Sequence, residues 1–324
     1  MSNLEFYISI HRAENMFLSV DIAKSVTEYI DYVLENRIDE GFNTFFRGHS
    51  DWKFELVPSI YRTKYAEILK HEDEAIREFI ASYPHFFAEC KSTLDYLAVL
   101  QHHGFPTRLL DITENPLVAL YFACEDQSGN HGDVIELSVN KNYYRYYDSD
   151  TVSILTNLSF MPHDFDVSNF DYSKYYGCFE SNDKYTYNRY YEIVNLEDHI
   201  DCLNDFNKIN SVDKLIHKIR TEKPFYRPII DPQHMDNYIV TVKAKNGFNR
   251  MINQSGLFAL FGIQKKKSKV ARFSFENLEY KIKHIIIPSE CKGNIIKQLN
   301  RLNINKATIY CDMDNVSKDF ISRY

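Results

Sequence analysis

Hydrophobic and polar positions alternate at helical spacing mainly in the first half of the chain. Apolar residues recur every three or four positions from Asp21, along the charged stretch 64–83, and after Ser92 and Pro116. Ser92 is a typical helix N-cap, Gly104 is a typical C-terminal stop, and proline is favoured in a first turn. The pattern therefore predicts four helices before residue 130.

Short apolar runs of strand length dominate the last third, where one further helix is expected after Ser289. Helices and strands are thus largely separated along the chain, which predicts an α+β fold instead of a doubly wound sheet. Neither G-x-G-x-x-G nor G-x-x-x-x-G-K-[ST] occurs, which argues against dinucleotide-binding Rossmann and P-loop domains. The predicted strands are EFYISIH (5–11), 42–47, DVIELSV (133–139), NYIVTVK (237–243), GLFALFG (256–262), ARFSF (271–275), KIKHIIIP (281–288) and ATIYC (307–311).

We expect one domain over residues 1–324, with a lead-in at 1–41 and a core built from 42–139 and 223–324. Residues 140–222 are interpreted as an insertion, because they contain little Gly or Pro and their periodicity is weak, except at residues 209–220, where a helix is expected. Eleven of the 24 tyrosines fall between Tyr143 and Tyr191. The cluster is either a polar aromatic surface or a contact surface for a partner or for nucleotide bases.

Composition limits the classes of function. The 324 residues are 44% hydrophobic and 26% charged with a net charge of -7, which is ordinary for a globular protein and excludes wholesale coating of DNA by general charge. No apolar run reaches the ~20 residues of a membrane span, and the N-terminus lacks a signal-peptide pattern. Six scattered cysteines without C-x-x-C spacing indicate reduced thiols, so we expect a soluble cytoplasmic protein without a metal site.

Phe46-Arg47-Gly48-His49 is the first cluster that could carry chemistry. An arginine at the end of a buried strand, followed by glycine, presents a planar guanidinium where a ligand can approach the backbone. That fork suits a phosphate or pyrophosphate. The alternative is an arginine that pairs with a carboxylate for structural reasons.

A second cluster runs from Gln101 to Thr113 and contains two histidines, Arg108, Asp111 and two threonines between apolar helices. Arg108 and Asp111 could form an ion pair, and the histidines could donate protons. No serine or cysteine nucleophile with a supporting base is evident, and a third metal ligand is missing.

The third cluster, 249–258, places Gln254 before a buried strand, either at a pocket mouth or in an ordinary turn. The lysine-rich run 265–269 is either a solvated loop or a contact for a phosphate backbone.

Four segments together resemble the FRG domain family of bacteria and phages. They are FRGHSDWKFELVPSIYR, which contains the Phe-Arg-Gly at 46–48, LQHHGFPTRLLDITENPLVALYFAC, NRMINQSGLF and HIIIP. The resemblance runs from about Phe42 to the C-terminus and is interrupted by the Tyr-rich segment.

The FRG pattern is in turn similar to a divergent ADP-ribosyltransferase. This resemblance implies a split β-sheet core with an N-terminal helical portion, and NAD as the substrate. Arg47 would hold the NAD phosphates, Gly48 would allow close approach, and Tyr121 would stack on nicotinamide. The NAD-contacting residues that it implies are Arg47, Gly48, His49, Thr107, Arg108 and Tyr121.

Gln254 stands where that superfamily carries a catalytic glutamate. An amide can hydrogen-bond a ribose hydroxyl but has no charge and cannot act as a base. Either Asp111 supplies the carboxylate, or the acceptor needs no base, or the site only binds nucleotide. Arg47, Gln254 and Asp111 are therefore the implied catalytic residues.

The implied function is a toxin-like transferase that modifies a nucleic acid or a protein in anti-phage defence or a toxin–antitoxin system. A neutralising antitoxin protein would be its partner. The alternatives are a non-catalytic nucleotide or nucleic-acid sensor and, less favoured, a nuclease that uses His102, His103 and Asp111.

Overall fold

The protein is an α+β molecule with a mixed eight-stranded sheet and ten helices in the part of the chain that the structure describes. In the computed structural model, the described residues are 19–35, 40–126, 128–171, 176–180, 189–193, 196–245, 252–273, 279–310 and 321. Of residues 176–180, 189–193 and 196–198 only the backbone is described.

The strands are β1 (Ser19–Ile22), β2 (Phe42–His49), β3 (Leu109–Thr113), β4 (Gly132–Asn140), β5 (Tyr144–Tyr146), β6 (Tyr176–Glu180), β7 (Arg189–Ile193), β8 (Ile239–Lys243), β9 (Gly256–Phe261), β10 (Ile263–Gln264), β11 (Lys266–Val270) and β12 (Tyr280–Ile287). The helices are α1 (Val26–Glu35), α2 (Ala66–Lys70), α3 (Glu72–Ser82), α4 (Thr93–His102), α5 (Pro116–Glu125), α6 (Asp150–Asn157), α7 (Leu196–Phe206), α8 (Asn210–Ile219), α9 (Ser289–Arg301) and α10 (Lys306–Tyr310).

The main sheet has the order β1-β12-β4-β2-β3-β9-β8-β5, and strand pairing between its two halves is sparse. Strands β2 and β4 pair over eight residues, and β3 and β9 over five. Between the halves, β2 and β3 share a single pair, Phe46 with Thr113. The sheet therefore opens between these two strands.

Each half of the sheet carries its own helical layer. Helices α1, α5 and α9 pack on β2, β4 and β12 through a core that includes Tyr29, Phe46 and Ile295. Helices α4, α6 and α8 pack with β8 and β9 through a separate core that includes Leu97 and Leu155. A third core, on β2, β3, β4, β8 and β9, belongs to neither helical layer and joins the two halves. The opening between β2 and β3 thus lies where two helical layers meet.

Several local predictions are confirmed. Helix α4 begins at a capping box in which Ser92 accepts from the Asp95 backbone N–H, and it is followed by Gly104 at a φ of 83°. Pro116 opens α5 behind an Asn115 cap, and the helix expected over 209–220 is α8. The strands expected at 133–139, 237–243, 256–262 and 281–288 are present.

Other predictions are wrong. The charged stretch 64–83 forms two helices, α2 and α3, instead of one. The strand expected at ATIYC is helix α10, because Asn305 and Thr308 exchange side-chain-to-backbone bonds of 3.1 Å in a reciprocal cap. In ARFSF, residues 271–273 are not a strand and 274–275 lie outside the described residues. The strand expected at 5–11 also lies outside them.

Residues 140–222 are built into the core as far as they are described. Strand β5 adds an edge to the sheet through parallel pairing with β8, and side chains such as Leu155, Leu158 and Ile216 are buried in the core of the second half. No fully apolar helix long enough to cross a bilayer occurs among the described residues.

Candidate functional site

Two adjoining cavities that share three lining residues lie at the opening between β2 and β3 and at the end of β2, and we call them the two lobes of a cleft. The first lobe, of about 230 Å³, lies between α4 and α5, and the second, of about 350 Å³, lies beyond the end of β2. Arg47, Gly48 and Phe122 line both lobes and so form the seam between them. Polar residues of the first lobe are Gln101, His102, Asp111, Thr113 and Gln254, and those of the second are His49, Ser50, Arg62, Glu125 and Asp126.

Arg47 bridges the gap in the sheet. Its guanidinium Nη1 donates to the Asp111 backbone carbonyl at 2.5 Å, and its Nε donates to His49 Nε2 at 3.0 Å. Burial lowers the pKa of Arg47 to about 10, the Asp111 carboxylate opposes this, and the Arg62 cation adds to it. Within the described residues, no carboxylate oxygen lies within 4.0 Å of the nitrogens of Arg47 or Arg62. The seam therefore carries positive charge that an anionic ligand would neutralise.

His49 is a neutral neighbour of this cation. Burial lowers the pKa of His49 well below 6.5, and the charges of Arg47, Arg62 and His284 lower it further. A hydrogen bond with the Phe54 backbone acts in the opposite direction. Because Arg47 donates to Nε2, we assign the remaining proton to Nδ1. His49 thus orients the guanidinium without adding charge.

A hydrogen-bonded chain holds the Asp111 carboxylate in the first lobe. Thr107, which is fully buried, donates to Gln101 Oε1, and Gln101 Nε2 donates to Asp111 Oδ1 at 2.7 Å. Thr107, which the family resemblance implied as an NAD contact, does not itself line either lobe. In the structure it positions Gln101, which in turn orients the carboxylate.

Gln254 lines the first lobe, which is one of the two placements that the sequence left open, and α10 contacts it. Its amide Nε2 donates to the Ile309 carbonyl at 3.3 Å, and its backbone carbonyl accepts from Thr113 Oγ1 at 2.5 Å. Residues 249–251 of the same cluster lie outside the described residues.

Arg108 lies outside the cleft, contrary to the expectation that it lines the nucleotide side. Its side chain is fully buried and forms a forked pair with Glu72, with nitrogen–oxygen distances of 2.6 to 3.0 Å. Its remaining nitrogen donates to Tyr61 Oη, and Lys267 Nζ contacts the same glutamate at 3.2 Å. The pair suggested for Arg108 and Asp111 is therefore replaced by a closed network around Glu72.

That network also corrects the interpretation of the lysine-rich run. Lys267 is fully buried on β11, and its Nζ also donates to the carbonyls of Ser159 and Met161. Burial lowers its pKa to about 8, although Glu72 acts in the opposite direction. This residue belongs to neither a solvated loop nor a phosphate-binding surface, whereas Lys266 and Lys269 are exposed.

Tyr121 and Gly48 serve packing more than the cleft. Tyr121 is 5% exposed in the core of the first half, and it is the next residue, Phe122, that lines both lobes. A Cβ at Gly48 would lie 2.0 Å from the carbonyl oxygen of Ala119, so the glycine is required by the close approach of α5. Its backbone nevertheless borders the cleft.

Sequence reasoning missed several cleft residues, among them Arg62, Phe122 and Glu125. Both carboxylate oxygens of Glu125 accept from Tyr310 Oη, at 2.9 and 2.7 Å, so this side chain is held against the second lobe. Glu125 is the last residue of α5, a helix that the sequence predicted, but its partner Tyr310 is 185 residues away in the chain. No local pattern connects the two.

Comparison with known proteins supports the family. Residues 42–131 match the family model described as the FRG domain. The chain contains an FRG domain. Comparison with curated proteins and with solved structures gave no match.

The FRG match ends at residue 131 and so covers β2, α2 to α5 and β3. It includes Arg47, Gln101, Asp111 and Phe122, whereas Gln254 comes from the chain beyond it. Among the described residues, no group of three or more His, Cys, Asp or Glu side chains is arranged to hold a metal ion.

Proposed function

We propose that this protein binds NAD in the two-lobed cleft and transfers its ADP-ribose to an acceptor. The observation that carries the proposal is the cation at the seam: Arg47 borders both lobes, is half-buried, and lacks a carboxylate partner among the described residues. A dinucleotide has a pyrophosphate between two nucleoside halves. Two lobes joined at a guanidinium match that order of groups.

The transfer requires only groups that line the first lobe. The bond between ribose C1′ and the nicotinamide nitrogen breaks, and nicotinamide leaves as a neutral molecule with the bonding electron pair. The acceptor oxygen or nitrogen then bonds to C1′ and gives up one proton. The Asp111 carboxylate, oriented by Gln101, is suited to offset the developing positive charge and to receive that proton. The Gln254 amide is limited to hydrogen bonding.

The test is incubation of the full chain with isotope-labelled NAD, with nicotinamide release and label transfer to total RNA, DNA and protein as readouts. Arg47→Ala should remove both, and Asp111→Asn should lower the rate by about 10²–10³ while NAD still binds. Arg272→Ala is the matched control, because Arg272 is exposed and lies outside the cleft. Absence of release and transfer in the wild type would refute the transferase proposal.

The neutral Gln254 favours a second candidate, a sensor that binds a nucleotide without turnover. NAD or ADP-ribose would then raise the melting temperature by mass action, with no nicotinamide formed. The variant Gln254→Glu distinguishes the two: a gain in nicotinamide release would show that the cleft lacks only the charge of a carboxylate. The role in anti-phage defence or a toxin–antitoxin system, with a neutralising partner, stays a prediction from the family resemblance.

A further inference from the structure

An exposed row of aromatic rings leads from the surface to the first lobe of the cleft. Its members, which we call the ring ladder, are His85, Phe86, His103 and His102 in spatial order. Successive ring centroids lie 4.2, 5.0 and 5.1 Å apart, and all four residues are exposed. The last member, His102, lines the first lobe.

The ring ladder lies on regular secondary structure, at the end of α4 and in a 3₁₀ turn. His102 ends α4, and the His103 backbone N–H donates to the Val99 carbonyl at 3.2 Å. Phe86 lies in a 3₁₀ turn, Pro84–Phe87, whose last residue is buried in the core, and its N–H donates to the Tyr83 carbonyl at 3.2 Å. Exposed rings on ordered elements lose little entropy when they bind a flat ligand.

The chemistry of the rings favours one class of binding partner. Three of the four are imidazoles, which combine a stacking face with nitrogen donors and acceptors. Protein-binding hot spots instead favour Trp, Tyr and Arg in a desolvated centre. Unstacked nucleobases offer flat faces and polar edges, and Phe and His are among the side chains on which they stack.

We infer that the ring ladder binds the bases of a single-stranded nucleic acid and delivers one nucleotide to the cleft. This inference deepens the proposed function, because it names the class of acceptor. His102 directly follows Gln101, whose amide holds Asp111. A base on His102 therefore brings its nucleotide to the lobe that contains the proposed proton acceptor.

The charge of the protein sets the expected mode of binding. A net charge of -7 does not favour attraction of the phosphate backbone, so stacking must supply most of the affinity. The dissociation constant should consequently change less with salt than for a protein that binds through many phosphate contacts. Duplex DNA, whose bases are stacked inside, should bind much more weakly.

The experiment is fluorescence anisotropy, without NAD, of labelled single-stranded DNA and RNA of about 12 nucleotides, a length within known site sizes. A hairpin duplex is the comparison ligand, and the DNA and RNA arms show which nucleic acid is preferred. Phe86→Ala should weaken binding about tenfold. Phe86→Trp should preserve it, because a stacking face is retained.

Phe225→Ala is the matched control, since it removes a ring that is 98% exposed and is not part of the ladder. Circular dichroism verifies that each variant is folded. If wild type binds neither single strand, or if the double variant Phe86→Ala/His103→Ala binds as well as wild type, the inference is overturned. Binding is measured without NAD, so the two proposals can fail separately. If a ladder variant no longer binds single strands but still transfers ADP-ribose, this inference alone is refuted. If wild type binds single strands but transfers no ADP-ribose, the proposed function alone is refuted.

Discussion

Two arginines of this protein, Arg108 and Arg47, have opposite surroundings. Arg108 is fully buried, yet its guanidinium is paired with Glu72 and hydrogen-bonded to Tyr61. Arg47 is only half-buried, but it contacts a carbonyl and a neutral imidazole instead of a carboxylate. Both belong to the segment that the FRG family model matches.

The difference separates a structural cation from a ligand-binding one. Glu72 favours the charged form of Arg108, and although burial acts against it, the pKa of Arg108 is raised. For Arg47, burial prevails and the pKa falls to about 10. Burial of an arginine is therefore not the mark of a binding site. What marks Arg47 is a desolvated charge with no carboxylate oxygen within 4.0 Å among the described residues, although the Asp111 carboxylate acts on it from farther away.

The largest expected effect is at the paired arginine, Arg108. Glu72→Gln leaves Arg108 and Lys267 buried without their shared counterion, and removing one partner of a buried ion pair typically costs about 3–5 kcal/mol. We expect that loss in the free energy of unfolding, measured by urea denaturation. Glu74→Gln on the same helix is the control, because Glu74 is 75% exposed. A cost for Glu72→Gln below about 1 kcal/mol would contradict the assigned role of the network.

At the other arginine, Arg47→Met should weaken ADP-ribose binding and leave the free energy of unfolding nearly unchanged. Loss of a charged hydrogen-bonding group should weaken ADP-ribose binding by about 1.5–3 kcal/mol, or roughly 10- to 150-fold, as measured by calorimetry. The two intramolecular bonds lost are offset by removal of a partly desolvated charge, so the free energy of unfolding should change by less than about 1 kcal/mol. A large loss of stability with unchanged binding would place Arg47 in the same class as Arg108.

A substitution at Gly48 tests whether this glycine is required for packing or for ligand binding. Gly48→Ala introduces a Cβ 2.0 Å from the Ala119 carbonyl oxygen and 2.7 Å from the Ala123 nitrogen. We expect a destabilisation of about 1–3 kcal/mol, because α5 must move away from β2. Thermal unfolding and ADP-ribose titration distinguish the two roles. Weakened binding at unchanged stability would show that the glycine serves the ligand directly.

Local patterns predicted much of the fold. The cap at Ser92, the stop at Gly104 and the proline at 116 act through neighbouring backbone groups, so a short window of sequence was sufficient. The strand predicted at 307–311 failed because Ile309 and its apolar neighbours fit either structure, and the Asn305–Thr308 cap decided for a helix. Apolar runs of this length are ambiguous without their flanking caps.

The site was predictable only in part. The motif around Phe46 led to Arg47, and the polar cluster before Thr113 led to Asp111, and both line the first lobe. Which arginine is paired depends on Glu72, which is 36 residues from Arg108 in the chain, and on Lys267, far downstream. Such partners are selected by tertiary packing, which sequence spacing does not encode. The same limit hid Glu125 and its tyrosine partner.

The smallest expected effect concerns a third charged site, an ion pair whose burial is intermediate between those of the two arginine sites. His284 Nδ1 lies 2.7 Å from the Asp133 carboxylate, and the side chains are 20% and 3% exposed. Burial opposes protonation of His284, but Asp133 prevails and its pKa is raised above 6.5. A raised folded-state pKa means that the pair contributes its full stability below pH 6.5, and that this contribution is lost as pH rises through the folded-state value.

The variant His284→Gln isolates that charge, because its amide can still donate to Asp133. The free energy of unfolding of wild type minus that of the variant should be positive near pH 6, at most about 1 kcal/mol, and should shrink as the pH rises above 6.5 through the folded-state pKa of His284. Chemical denaturation of both proteins across this range measures the difference, in which the titrations common to both cancel. A difference that is constant or grows with pH would mean that His284 is neutral in the folded state. In that case Asp133 would be a buried carboxylate without a cationic partner in this pair. It would then resemble Arg47, a desolvated charge without a close counterion, more than Arg108.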